Sequence, residues 1–189
     1  VGNIMIDTIF KNKSKIIHNS ENIKDTLNIN KQYFVITLHR PSNLNDDILE
    51  DVFEAISNFT DDFQVILPAH PRLKNYIENN NLELSNVILI DPLSYIDFMS
   101  LVYGCDLMLT DSGGIQEETT YLGINCLTLR EETERPITVQ EGTNKVIGTD
   151  KENIINEINN VLGSKISNEA KIKYWDGETS DRIFQILFG

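Results

Sequence analysis

The chain is short of cysteine, of arginine and of uninterrupted apolar sequence, and each shortage excludes something. Cys105 and Cys126 are its two cysteines, too few for a disulfide framework or a cysteine-built zinc site. Both lie in apolar stretches, Leu101–Leu109 and Gly123–Leu129, and read as reduced core residues. No apolar run approaches the roughly 18 residues that a membrane span needs, and the first residues show no signal-peptide pattern. There is no internal repeat and no low-complexity linker. Cations are outnumbered, 16 Lys and Arg against 29 Asp and Glu, for a net charge of −13. So acidic a chain lacks the clustered cations that displace counterions from DNA or RNA. The expectation is a cytoplasmic protein in a reducing compartment, with neither nucleic acid nor membrane as partner. What remains is ordinary globular composition, 40% hydrophobic and 24% charged over 189 residues, with room for one well-cored domain.

The few arginines are not spread evenly. Arg40, Arg72, Arg130 and Arg135 each follow a short apolar run, and His39 and His70 accompany two of them. Rigid guanidinium forks and imidazoles at such positions can build a local anion site on an acidic protein.

The apolar runs alternate with helix-like segments. Tyr33–Leu38, Phe63–Leu67, Val87–Ile90, Leu107–Thr110, Asn125–Leu129 and Lys145–Gly148 read as strands, short and rich in β-branched and aromatic residues. Between them, Ile48, Leu49, Val52, Phe53 and Ile56 recur at helical spacing after Asn45. Pro71 opens a helix ending in the Asn79–Asn81 cluster. Ser94 caps another that carries Ile96, Phe98, Leu101 and Val102. Further helices run from near Gly114–Ile115 to Gly123, from Lys151 to Leu162 and from Ser180 to Leu187. Strand–helix alternation with continuously apolar strands predicts an α/β fold: a single Rossmann-like domain with a parallel sheet and helices on both faces.

Ligands of such sheets sit outside the carboxyl ends of the strands. The residues expected there are His39-Arg40, His70, Asp91-Pro92-Leu93, Asp111 to Gly114, and Arg130 to Arg135. In Asp111-Ser112-Gly113-Gly114-Ile115-Gln116-Glu117-Glu118 a strand runs through two glycines into a helix, so unpaired N–H groups offer an anion site, with the Ser112 hydroxyl as a further donor. It is not a P-loop, for no Gly-Lys-Ser/Thr follows, and the third glycine of the dinucleotide fingerprint is missing. A glutamate one turn into this helix would suit a pair of ribose hydroxyls. The alternative, a solvated surface residue, applies to Glu117 and Glu118 alike, and spacing does not choose between them.

These residues carry a resemblance. Asp111 to Glu118, Thr133-Glu134-Arg135-Pro136, Glu141-Gly142-Thr143 and Val146 to Asp150 are similar to motifs of the non-hydrolysing UDP-N-acetylglucosamine 2-epimerases, as are Gly2-Asn3, Ile6-Asp7, Thr37 to Arg40 and Val87 to Pro92. Order and spacing are kept nearly end to end, over the second half of a typical member. The resemblance implies the carboxyl-terminal, UDP-binding domain of a two-domain enzyme, residues 1–189, one half of a glycosyltransferase-B type fold, with the amino-terminal domain absent. It implies substrate-binding roles for Ser112, Gly113 and Gly114 at the diphosphate, Glu118 at the ribose, Leu93 and Phe98 at the uracil, and Arg135 at the nucleotide. His39 becomes the catalytic residue near the diphosphate, and His70 fits a second cleft histidine or a loop cap. A core role for Phe98 is the alternative. Pro41-Ser42 departs from the Arg-Glu that many bacterial members carry at positions associated with a regulatory substrate site.

The implied chemistry is elimination of UDP from UDP-N-acetylglucosamine and its re-addition to give UDP-N-acetylmannosamine, with no metal or other cofactor. The implied partners are the UDP-sugar, the amino-terminal domain and a second copy of the full-length enzyme. With the acid–base carboxylates on the other domain, this chain alone is expected to bind without turnover. The rival readings are half of a nucleotide-sugar glycosyltransferase and a non-catalytic nucleotide-binding module.

Overall fold

Six strands, β1 (Tyr33–Thr37), β2 (Gln64–Pro68), β3 (Val87–Ile90), β4 (Leu107–Thr110), β5 (Cys126–Thr128) and β6 (Asn144–Val146), form one parallel sheet. Their order is β3-β2-β1-β4-β5-β6. The structure, a computed structural model, describes every residue except 41, 42, 44, 81, 83, 85, 86 and 164–170. The Pro41-Ser42 departure and the end of the Asn79–Asn81 cluster therefore lie outside the described residues.

Side chains alternate across the strands and build two cores. Phe34 and Ile36 of β1, Val65 and Leu67 of β2, and Leu107 and Leu109 of β4 pack under α2 (Asp46–Ser57), α3 (Pro71–Asn79) and α7 (Lys151–Leu162). Tyr33, Val35, Ile66 and Met108 face α1 (Ile4–Thr26), α4 (Tyr95–Tyr103) and α5 (Gly113–Leu122). Full burial of each such side chain contributes about 1.5–3 kcal/mol, so both faces are needed to hold the sheet. Helices cover both faces, as the apolar strands require.

Local chemistry sets the helix starts. The side chains of Asn45, Ser94 and Asp150 accept from backbone N–H groups at the starts of α2, α4 and α7, which satisfies donors the helices leave open. Gly123, at φ +74°, ends α5 in the left-handed conformation that glycine adopts without strain.

Three features were not expected. The helix α1 is 23 residues long, α6 spans Pro136–Gln140, and β6 begins at Asn144 and ends at Val146 instead of running from Lys145 to Gly148. The last helix, α8 (Thr179–Phe188), has no cap of its own. Buried Asp7 of α1 supplies one, accepting from the N–H groups of Thr179 at 3.1 Å and Ser180 at 2.7 Å.

The strand order places β1 and β4 side by side although two strands and three helices separate them in the chain. Connections leave in opposite directions on either side of this pair, so a crevice opens at their carboxyl ends. The loops entering it are His39-Arg40 after β1 and Asp111-Ser112 after β4.

Candidate functional site

The turn after β4 is fixed by short hydrogen bonds. The hydroxyls of Thr37 and Thr110 bond across β1 and β4 at 2.8 Å, and Ser112 N–H donates to Thr110 Oγ1 at 3.0 Å. The chain then enters α5, whose first turn is not capped by the Ser112 side chain. Its leading N–H groups therefore face outward as an anion site. Gly113 and Gly114 form the first turn, and the fold asks neither to be glycine. Neither has a positive φ, and an added Cβ would approach nothing nearer than 3.8 Å at Gly113 and 3.7 Å at Gly114. Glycine inside a helix costs up to about 1 kcal/mol against alanine. What it leaves here is open backbone at a helix N-terminus.

Across the crevice, His39 Nδ1 lies 2.9 Å from Oδ1 of Asp111, a side chain with no solvent exposure. Asp111 Oδ2 accepts from the backbone N–H groups of His39 at 3.1 Å and Arg40 at 2.9 Å. The His39 hydrogen bond to Asp111 raises the imidazole pKa above its ordinary value, against partial desolvation. Burial pushes Asp111 up, but hydrogen bonds from His39 and the Arg40 N–H outweigh it and hold the carboxyl below its usual range. With Nδ1 engaged, Nε2 of the half-exposed ring is the atom left for a ligand.

Arg135 stands beside Gly113 and forms an ion pair through Nε with Glu117 at 2.9 Å. A buried network holds the turn that carries it. Thr133 Oγ1 donates to Gln116 Oε1 and accepts from Arg135 N–H at 3.0 Å, while Asn144 Nδ2 reaches Gln116 Oε1 at 3.2 Å and Thr138 Oγ1 at 3.0 Å. Glu134 is clasped by Arg130, at 2.6 and 3.1 Å, and by Arg40 at 3.0 Å. Hydrogen bonding from Arg130 above all pulls its carboxyl down to about 2.

Glu118 follows one turn into α5 and is 5% exposed. Tyr95, the first residue of α4, donates its hydroxyl to Oε1 at 3.0 Å. Burial pushes the Glu118 carboxyl up to about 7, only partly opposed by Tyr95. Glu117 is 6% exposed, so the solvated alternative fails for both glutamates. Burial raises the Glu117 pKa as well, against the opposing pull of Arg135. Leu93 and Phe98 flank Tyr95 and are half-buried against the α1–α4 core. Phe98 therefore has a packing role, with part of its ring still open. His70 caps α3, its Nδ1 accepting from Arg72 N–H at 3.4 Å, which is the loop-capping alternative. It sits after β2, on the same rim but joined to none of the other site residues by the described hydrogen bonds.

The structure thus gathers His39, Ser112, Gly113, Gly114, Glu118 and Arg135 around one crevice. It gives Asp111, expected only as part of the turn, a partner in His39, pairs Glu117 with Arg135, and adds Tyr95, for which the sequence suggested no role. An aspartate in a tight strand-to-helix turn reads as turn chemistry, and its partner His39 is 72 residues away. For Tyr95 a signal was available: an aromatic directly after a helix cap falls on the rim, not in the core. The rim arginines are also less free than their placement suggested, since Arg40, Arg130 and Arg135 are all carboxylate-paired. Among the described residues no group of three or more His, Cys, Asp and Glu could hold a metal ion, and no helix is long and apolar enough to cross a membrane.

Known proteins resemble this chain in sequence and fold. Residues 1–188 match the family described as UDP-N-acetylglucosamine 2-epimerase. The enzyme of that name from Methanocaldococcus jannaschii is 36% identical over 200 residues, covering 99% of this chain and 53% of its own length. That from Escherichia coli is 32% identical, covering 98% of this chain and 53% of that protein. A solved structure of the M. jannaschii UDP-GlcNAc 2-epimerase in complex with UDP-GlcNAc and UDP superposes with a TM-score of 0.81 at 34% identity, over 98% of this chain and 54% of that one. The chain spans about half the length of the curated relatives it matches. With nearly all of its residues in that match, it belongs to the UDP-N-acetylglucosamine 2-epimerase family.

Proposed function

We propose that this chain is the UDP-binding half of an epimerase that interconverts UDP-N-acetylglucosamine and UDP-N-acetylmannosamine. The observation that carries the reading is the uncapped N-terminus of α5, opened by two glycines the fold does not require, at the β1/β4 crevice. The likeness to a structure holding UDP-GlcNAc and UDP supports the choice of nucleotide.

In this reading the diphosphate lies on the N–H groups of the Ser112–Gly114 turn, with Arg135 beside Gly113 held toward it by its ion pair with Glu117. Glu118 accepts from the ribose hydroxyls, and Leu93 and Phe98 border the uracil. In the reaction C2 of the sugar loses a proton, the C1–O bond breaks and UDP departs, leaving 2-acetamidoglucal. Re-addition of UDP restores the C1–O bond, with C2 protonated from the opposite face. This chain's part is to hold UDP through both steps. His39, kept readily protonated by Asp111, lies where Nε2 can offset charge on the departing diphosphate. The acid–base carboxylates that act on C2 belong to a second domain, and the full-length enzyme works as a dimer in the cytoplasm.

Calorimetry with UDP tests the site: we expect binding at up to millimolar nucleotide, and absence of heat would overturn the reading. Solvent deuterium tests the division of labour. The 189-residue chain alone should not exchange the C2 proton of UDP-N-acetylglucosamine, and exchange would place the base within it.

A further inference from the structure

We propose that Tyr95 is a positioning residue for Glu118, its hydroxyl holding one carboxylate oxygen so that the other is left to accept from the ribose diol. The proposal rests on the nucleotide reading above and deepens it at one contact.

Three observations support it. First, the 3.0 Å bond from Tyr95 engages Oε1 alone, and the described hydrogen bonds give Oε2 no protein partner. Oε2 is not among the fully buried polar atoms that lack a partner; it keeps contact with solvent, and a ligand can reach it as an acceptor. Second, the neighbouring carboxylate is already used: Glu117 is paired with Arg135, and no cation among the described residues pairs with Glu118. Third, Tyr95 is 38% exposed, so its ring does not fill the core. Both α4 and α5 begin at the carboxyl rim of the sheet, and buried Met99, Leu101, Val102 and Leu122 fix their packing. A tyrosine has few rotatable bonds and spans that fixed gap, holding the carboxylate in one orientation before the ligand arrives.

The groups bearing on the Glu118 charge are Tyr95 from α4 and, beside it on α5, Glu117 with its partner Arg135. Tyr95 favours the ionised carboxyl, which is the form that accepts two hydroxyls. Removing the hydroxyl therefore moves titration of Glu118 to higher pH.

The test compares UDP with 2′,3′-dideoxy-UDP, by calorimetry from pH 6 to 9, on the wild-type chain and on Tyr95→Phe. The wild type should prefer UDP, with the preference growing as pH rises through about 7. Tyr95→Phe should bind UDP about three- to tenfold more weakly, bind the dideoxy nucleotide unchanged, and shift the midpoint of the preference upward. In a Glu118→Gln background, Tyr95→Phe should add nothing to the pH dependence, and this second pair keeps the test independent of modest changes in stability. Equal loss for both nucleotides would make Tyr95 a structural link between helices and overturn the proposal. So would unchanged UDP affinity with an unmoved midpoint, leaving the ribose role of Glu118 intact. If the wild type does not distinguish the two nucleotides, the ribose reading fails and the proposal with it.

Discussion

Glu118 ionises inside the protein against the burial that surrounds it. Its carboxyl is moved from an ordinary 4.5 to about 7, and desolvation is the main cause. Between these values the folded chain keeps a proton that the unfolded chain has released. Stability therefore falls as pH rises across that window and stays lowered above it, by about 3 kcal/mol. Glu118→Gln keeps the shape and the acceptor for Tyr95 but carries no charge. We expect it to melt higher than the wild type at pH 8, with the difference closing by pH 5. A lower melting temperature at pH 8 would mean that a partner compensates the carboxylate. A residue that costs stability at working pH is characteristic of a site rather than a scaffold. Topology put His39 and the glycine turn on one rim, and the family resemblance, not spacing, singled out Glu118 over Glu117. Asp111 was placed on that rim without its bond to His39, and Tyr95 was missed altogether, since both contacts join residues 72 and 23 apart along the chain.

At the scale of the element, α5 offers the cleanest separation of folding from binding. Gly114→Ala should leave the melting temperature unchanged or slightly raised, since its Cβ would meet only Met5 Cε at 3.7 Å and alanine favours the helix. If the proposed diphosphate site is right, the same methyl group would stand over the N–H groups that serve it, and UDP affinity should fall about tenfold or more. Unchanged affinity in a calorimetric titration would show that the ligand does not approach there. Strands were legible because burial on both sides makes them continuously apolar. The longest helix was not, for its buried Ile6, Ile9, Ile16 and Ile23 mark only a narrow seam, and Ile4, Met5, Phe10 and Ile17 lie exposed off it, so no clean apolar stripe shows. The start of α8 was approximated from local sequence, yet its cap is Asp7, at the other end of the chain. Such a cap leaves no local trace.

Over the whole molecule, the net charge of −13 sets what an approaching nucleotide meets first. The rim does not reverse it, since Arg40 and Arg130 share Glu134 and line a pocket with Glu131 and Glu132, Arg135 faces Glu117 and His39 faces Asp111. At about 10 mM salt, fields reach roughly 30 Å, and at 150 mM about 8 Å. Stopped-flow association of UDP should therefore speed up as salt is raised over that range, because repulsion by the acidic surface is screened before the backbone donors of α5 are felt. Slower association would show that the rim cations steer. The sheet order has one more consequence. Thr37 and Thr110, which join β1 to β4 at the base of the crevice, are 73 residues apart. Closing so long a loop is slow and entropically opposed, and a partly assembled chain has no crevice to offer. A nucleotide bound there, as proposed, would act as a brake on unfolding, lengthening the life of the folded state while the rate of folding stays as it was.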